Sequence, residues 1–155
     1  MLNDRTTRIP TGGCPPGYAY RQYQQTQTHT ASPGQLVVML YQGAIKFLVK
    51  ARYEVEAGHV ERAHNNLVRA QDIVLELMNG LDLSIGPVAE NLHALYSFMY
   101  RRLVEANVRK DAKAIDDVLY MLRDLLPAWE QAVASVERAQ AASPSDRASL
   151  ARAST

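Results

Sequence analysis

The chain has 155 residues, of which 47% are apolar, and its net charge is +1 with acidic and basic residues interspersed. This length suits one globular domain, and the lack of a Lys/Arg cluster disfavours nucleic-acid binding. No window reaches the roughly 20 apolar residues of a membrane span, and no apolar block follows Arg5 and Arg8 as it would in a signal peptide. The single cysteine, Cys14, excludes an internal disulfide and a multi-cysteine zinc site. We therefore expect a cytoplasmic protein with no cofactor and no membrane insertion.

The two ends of the chain lack hydrophobic periodicity. Residues 1–16 are rich in Thr, Gly and Pro, and residues 137–155 are rich in Ala, Ser and Arg. Both compositions favour mobile segments. We expect residues 17–136 to form one helical domain, in which residues 17–31 are a short N-terminal helical arm.

Four segments between these ends have apolar residues at alternating three- and four-residue spacing, which is typical of helices with one buried side. The predicted helices begin at Pro33 behind Ser32 as an N-cap, at Val60, at Pro87 and after Asp111. The connections between them are short, which makes successive helices antiparallel. The predicted fold is all-α, an antiparallel up-down-up-down four-helix bundle. Pro127 is expected to kink the fourth helix or to end it near Leu126.

The predicted helices carry more apolar surface than a bundle core requires. In helix one, Leu36, Leu40, Ala44, Phe47, Ala51 and Val55 form the predicted core side, and Val38, Ile45 and Val49 form a second row with Tyr41 beside it. Such surplus indicates a groove for a partner helix or a homodimer interface. Tyr20 and Tyr23 in the arm would share one face of a helix and suit a reversible cover over that surface or a plug at one end of the core. The predicted partner-binding residues are Tyr20, Tyr23, Val38, Tyr41, Ile45, Val49, Val68, Leu75 and Tyr96.

Two Glu-x-x-His pairs, Glu61/His64 and Glu90/His93, match half of a di-metal carboxylate site. Each pair lies off the apolar side of its helix and at the start of it, so the two pairs are expected at opposite ends of the bundle and no metal site is predicted. An exposed His64 leaves a histidine phosphotransfer module as the alternative function. No catalytic residue is predicted, because Cys14 has no histidine at a fixed spacing.

A series of short blocks between residues 18 and 133 resembles one known family. The blocks are Ala19-Tyr20, Thr30-Ala31-Ser32-Pro33, Gln35-Leu36, Met39-Leu40-Tyr41, Gly43-Ala44, Gly86, Asn91-Leu92, Leu95-Tyr96, Met99, Arg101-Arg102-Leu103, Ala106-Asn107, Asp111-Ala112, Ala114-Ile115 and Trp129. In order and spacing they are similar to the flagellar secretion chaperones of the FliS family. The chain departs from the family in its additional Tyr18 and Tyr23, in Pro127 and in a longer N-terminal extension.

The resemblance implies a bundle without enzymatic activity that binds the disordered C-terminal segment of flagellin in the bacterial cytoplasm. Such a chaperone prevents premature polymerisation and aids delivery to the flagellar type III export gate. The implied partners are the flagellin C-terminal region and an export gate component. The resemblance also implies that the segment around Tyr20 occupies part of the groove until the cargo arrives.

Overall fold

A computed structural model of the protein describes residues 31–142 and 144–153. Within these ranges the chain forms five α-helices, a 3-10 turn at Leu83–Ile85 and no strand. The helices are α1 (Pro33–Glu56), α2 (Val60–Asn79), α3 (Pro87–Arg109), α4 (Ala112–Ala141) and α5 (Pro144–Ala153). This confirms the predicted all-α class.

The four long helices form an antiparallel bundle. Helix α1 packs against α2 and α4, and α3 packs against the same two helices, so α1 and α3 lie on a diagonal. Arg52 near the end of α1 pairs with Asp116 near the start of α4 at 2.5 Å. Asn107 near the end of α3 is hydrogen-bonded to His64 near the start of α2. Successive helices therefore run in opposite directions, as their short connections require.

Helix ends follow local signals in the sequence. The Asp111 carboxylate accepts a hydrogen bond from the Lys113 backbone N–H at 2.9 Å, which confirms Asp111 as the N-cap of α4. Gly58 has a φ of 77° after the end of α1, and the His59 N–H donates to the Glu54 carbonyl at 2.9 Å. This is a Schellman motif, in which a left-handed residue allows the last carbonyls of the helix to be paired.

Among the described residues, the core contains 17 buried residues, which come from all four long helices and form one packed cluster. In α1 the fully buried residues are Tyr41, Ala44, Leu48 and Ala51, whereas Leu40 and Phe47 are only partly buried. The core side of α1 is therefore rotated from the predicted row. Adjacent apolar rows on one helix have the same period, so the sequence does not show which row faces the core. The positions of the neighbouring helices determine that.

Helix α4 continues through Pro127 to Ala141. Of the two predicted effects of Pro127, an end of the helix near Leu126 is therefore wrong and a kink stays a prediction, since proline removes the hydrogen bond to the Arg123 carbonyl. Leu126 and Trp129, on either side of the proline, both pack against the core, and this packing holds the helix together across the lost bond. The secondary structure of residues 137–141 and 144–153 is helical, and the predicted mobility of residues 137–155 stays a prediction. In the described part of the chain, no helix has the length and apolarity needed to cross a membrane.

Candidate protein-binding surfaces

One apolar surface lies between α1 and α4. Val49 lines a shallow depression together with Tyr53 of the same helix and with Leu119 and Arg123 of α4. Val38 and Ile45 precede Val49 by eleven and four residues, which places them on the same side of α1. The depression adjoins a second one lined by Leu119, Arg123 and Tyr120.

The residues of this α1–α4 surface differ in exposure. Val38 and Ile45 are half-buried, and Val49, Tyr53 and Tyr120 are exposed. The α1–α4 surface is defined as Val38, Ile45, Val49, Tyr53 and Tyr120, with the buried core residue Leu119 at its floor. Tyr53 and Tyr120 were not among the predicted binding residues. Tyr53 follows Val49 by four residues, a spacing that could have identified it. Tyr120 joins the surface only because it shares Leu119 and Arg123 of α4 with the depression beside α1, which the sequence does not indicate.

A second apolar surface lies between α2 and α3. His64 of α2 contacts Asn107 of α3 at 3.0 Å between Nδ1 and the amide nitrogen. Val68 and Leu75 follow His64 by four and eleven residues, so they lie on the same side of α2 as this contact. On α3, Val104 precedes Asn107 by three residues and is exposed. The α2–α3 surface is defined as Val60, Val68, Leu75, Val104 and Val108, of which Val68 and Leu75 are half-buried and the others exposed.

The two surfaces face opposite sides of the bundle. Helices α1 and α4 are neighbours, α2 and α3 are neighbours, and the four helices are arranged in a ring in chain order. The structure therefore brings Val38, Ile45 and Val49 together but separates them from Val68 and Leu75. A partner that contacts all five must reach around the bundle.

Tyr41 and Tyr96 are fully buried in the core, which corrects the expectation that they belong to an exposed binding surface. Their hydroxyl oxygens are 2.6 Å apart, so one hydroxyl donates a hydrogen bond to the other. The rings meet edge-to-face with centroids 6.3 Å apart, and the Trp129 ring lies 6.3 Å from that of Tyr41. Both tyrosines point toward the bundle axis, where the diagonal helices α1 and α3 approach. Their spacing to Ala44 and Met99, three residues in each case, is a core spacing that could have indicated this.

The buried tyrosine pair stays neutral. Burial raises the pKa of Tyr41, and its hydrogen bond to Tyr96 offsets part of this effect. Burial is also the largest cause of the raised pKa of Tyr96, followed by its hydrogen bond with Tyr41. The pair is a structural contact between two un-ionised hydroxyls, with no role for a phenolate.

Tyr20 and Tyr23 lie outside the described residues, so their place in a binding surface stays a prediction.

The two Glu-x-x-His pairs lie at opposite ends of the bundle. His64 contacts Asn107 near the end of α3, whereas Glu90 and His93 lie near the start of α3. The Lys110 ammonium donates to the Asn107 amide oxygen at 2.5 Å. His64 Nδ1 lies 3.0 Å from the amide nitrogen and 3.2 Å from the amide oxygen of Asn107, so the imidazole pairs with this amide in either tautomer. His64 is thus held by a hydrogen bond to a neutral amide, and no cluster of three or more His, Cys, Asp or Glu occurs among the described residues.

Comparison with known proteins gives one family. A sequence model described as "Flagellar protein FliS" matches residues 16–136. The flagellar secretion chaperone FliS of Bacillus subtilis (strain 168) is 40% identical over 116 residues, which cover 75% of this chain and 86% of the relative. The flagellar secretion chaperone FliS of Salmonella typhimurium is 41% identical over 116 residues, covering 73% and 86%.

A solved crystal structure of a flagellar chaperone from bacteria superposes with a TM-score of 0.63 and covers 76% of this chain and 96% of its own. At 21% identity this similarity supports the fold alone. The sequence matches assign the chain to a group of chaperones that are not enzymes, and not to the phosphotransfer modules considered for His64. The chain therefore belongs to the FliS family of flagellar secretion chaperones.

Proposed function

We propose that this protein binds the disordered C-terminal segment of flagellin in the cytoplasm, keeps flagellin from polymerising prematurely and aids its delivery to the flagellar type III export gate. A chaperone role in flagellar export follows from the family. The cargo, the compartment and the gate are the parts that we propose. The single observation that carries the proposal is the apolar row along α1, in which the described helices leave Val49 and the neighbouring Tyr53 exposed and Val38 and Ile45 only half-buried.

The shape of the α1–α4 surface favours a helical cargo. Two antiparallel helices leave a long shallow groove between them, and an amphipathic helix can lay its apolar side into such a groove. A cargo segment that is disordered before binding loses conformational entropy when it folds there. Burial of apolar area, at about 25 cal/mol per Å² of surface removed from water, offsets that loss.

The proposal is tested by titrating the chaperone with the C-terminal region of the cognate flagellin in a calorimeter. We expect a one-to-one complex with a negative heat-capacity change and a gain of helical circular dichroism, since apolar burial and coupled folding give these signatures. No complex at micromolar concentration would refute the proposal.

A pair of valine substitutions localises the binding. Val49→Asp places a charge in the α1–α4 surface, whereas Val136→Asp does so at a valine of similar exposure near the end of α4, 53% against 45%. We expect the first variant to lose at least tenfold in affinity and the second to bind like the parent protein. Equal losses would assign the effect to added charge and not to the surface.

The anti-polymerisation role has its own test. Seeded filament growth of flagellin is followed by light scattering with the chaperone at equimolar concentration. We expect the parent protein and Val136→Asp to suppress growth, and Val49→Asp to suppress it less. Suppression that is equal for all three proteins would separate this activity from the α1–α4 surface.

A further inference from the structure

We propose that the cargo segment lying on the α1–α4 surface carries acidic side chains along its edge next to α1, where Lys46 and Lys50 select it. This inference rests on the proposed function, because it specifies the chemistry of the same cargo. It concerns which flagellin segments the chaperone accepts and in which orientation they lie.

The two lysines belong to an exposed row beside the apolar one. Met39, Lys46, Lys50 and Tyr53 are spaced by seven, four and three residues, so they share the outer side of α1, and all four are exposed. Lys46 and Lys50 are one helical turn apart, about 6 Å along the axis. None of the ion pairs among the described residues includes Lys46 or Lys50. Two uncompensated positive charges therefore stand directly beside the groove.

The other charges near the surface do not neutralise these lysines. Arg52 is paired with Glu56 at 2.9 Å and with Asp116 at 2.5 Å, and this cluster, of net charge −1, lines the depression near the end of α1. Neither carboxylate reaches the lysines. The α1 edge of the groove thus keeps a net positive charge in its middle.

The α4 edge has a different charge pattern. Arg123 lines both depressions. Asp124 follows it directly in the sequence, Glu130 follows it by seven residues, and both are exposed. One positive and two negative charges give this edge a mixed, slightly acidic character. An amphipathic helix with carboxylates on one flank is therefore attracted to the α1 edge and disfavoured at the α4 edge. The charge asymmetry sets the orientation of the cargo about its own axis.

The magnitude follows from exposed ion pairs. Such a contact contributes about 0.2–1 kcal/mol, which corresponds to a factor of about 1.4–5 in affinity. Reversing two lysines removes two attractions and adds two repulsions, so a loss of about tenfold is expected near 0.1 M salt. Screening shortens the range of these interactions from about 10 Å at 0.1 M to about 3 Å at 1 M, so most of the loss disappears at high salt.

The experiment compares two double variants with the same change in net charge. Lys46→Glu/Lys50→Glu reverses the row beside the α1–α4 surface. Arg109→Glu/Lys113→Glu reverses two exposed cations at the connection between α3 and α4, neither of which belongs to the α1–α4 surface. Each variant is first checked by circular dichroism, and its affinity for the flagellin C-terminal region is then measured by calorimetry at about 0.1 M and about 1 M salt.

We expect the α1 variant to bind about tenfold more weakly at low salt and within twofold of the parent at high salt, whereas the control stays within twofold in both. A cargo variant with its acidic flank changed to Lys should bind the α1 variant better than the parent chaperone. Equal losses in both double variants, or no loss in the α1 variant, would overturn the inference while leaving flagellin binding intact. Absence of binding by the parent protein would instead refute the proposed function.

Sedimentation velocity of each chaperone alone completes the test. We expect the same sedimentation coefficient for the parent and the α1 variant. If the substitutions at Lys46 and Lys50 change self-association and leave cargo affinity unaltered, this face is an interface between two copies of the chain, and the inference is wrong.

Discussion

Removing one hydroxyl from the buried tyrosine pair should destabilise the bundle more than removing both. Tyr41 and Tyr96 are fully buried, and their hydroxyl oxygens are 2.6 Å apart. In Tyr41→Phe the Tyr96 hydroxyl keeps its place in the core but loses this partner, and Tyr96→Phe does the same to Tyr41. In the double variant no hydroxyl is left, and the two rings retain nearly all of their packing.

The expected magnitude follows from the cost of a buried polar group without a partner, about 1–3 kcal/mol. A hydrogen bond with Trp129 offsets part of the rise in the pKa of each tyrosine and stays available to the hydroxyl that remains in a single variant, so we expect about 1–2 kcal/mol for each single variant. Replacing both partners by apolar groups of the same shape is close to neutral, so the double variant should lie within about 1 kcal/mol of the parent. The coupling free energy in this double-mutant cycle is then about 1–4 kcal/mol, larger than the deviation from additivity of independent sites.

Urea unfolding measures this cycle, with fluorescence of the single tryptophan, Trp129, and far-ultraviolet circular dichroism as two probes. A loss of 1 kcal/mol should also lower the Tm by about 4 °C for a domain of this size. The reasoning is refuted if the double variant loses the sum of the two single losses. It is also refuted if either single variant is as stable as the parent, because the hydroxyl pair would then contribute nothing.

Three further substitutions and one deletion test separate parts of the protein. Gly34→Ala should destabilise the fold by about 1 kcal/mol or more, because the new methyl group would lie 2.8 Å from the Val133 side chain of α4. Gly43→Ala, whose methyl group would lie 3.4 Å from Ile73, should be neutral or stabilising by up to about 1 kcal/mol. A stability change of the same sign for both variants in thermal unfolding would contradict this. The Arg102 guanidinium holds the pKa of Asp117 in the folded protein below its ordinary 3.8. The ion pair therefore stabilises the fold above pH 3.8, and this stabilisation is lost as the pH falls through the pKa of Asp117 in the folded protein. Asp117→Asn should therefore be less stable than the parent at pH 7 and approach it below about pH 4, and a difference that does not vary with pH in urea unfolding would rule this out. Deletion of residues 1–25 should change flagellin affinity at unchanged helicity if the segment is a displaceable cover; a lower Tm at unchanged affinity would identify it as a plug.

Local signals made most of the fold predictable. Proline at the first helical position, a left-handed glycine and an aspartate N-cap act within a few residues, so Pro33, Gly58 and Asp111 mark helix ends independently of tertiary structure. Short connections then leave the antiparallel bundle as the arrangement of the helices. The extension of α4 beyond Pro127 could not be predicted in this way, because it depends on core contacts made by residues that are distant in sequence.

The candidate surfaces were only partly predictable for a related reason. Helical spacing groups Val38, Ile45 and Val49 correctly, since spacing alone decides which residues share a side. It does not determine which neighbour that side faces, so Tyr41 was assigned to the surface although it lies in the core. The placement of Val68 and Leu75 on the opposite side of the bundle is likewise a property of the packed helices and not of any one helix.

Two apolar surfaces on opposite sides set a minimum length for a single segment that covers both. The α1–α4 surface runs about 22 Å from Val38 to Tyr53, and the α2–α3 surface runs about the same distance from Val60 to Leu75, at 1.5 Å per helical residue. Crossing the bundle, roughly 20 Å for two packed helices, takes about 6–7 extended residues. A segment of roughly 40 residues can therefore occupy both surfaces, whereas one of 15–20 can occupy one. Since linked sites bind with a high effective concentration, the long segment should bind far more tightly than either half, and Val68→Asp should weaken the long segment but not a short one that lies on α1.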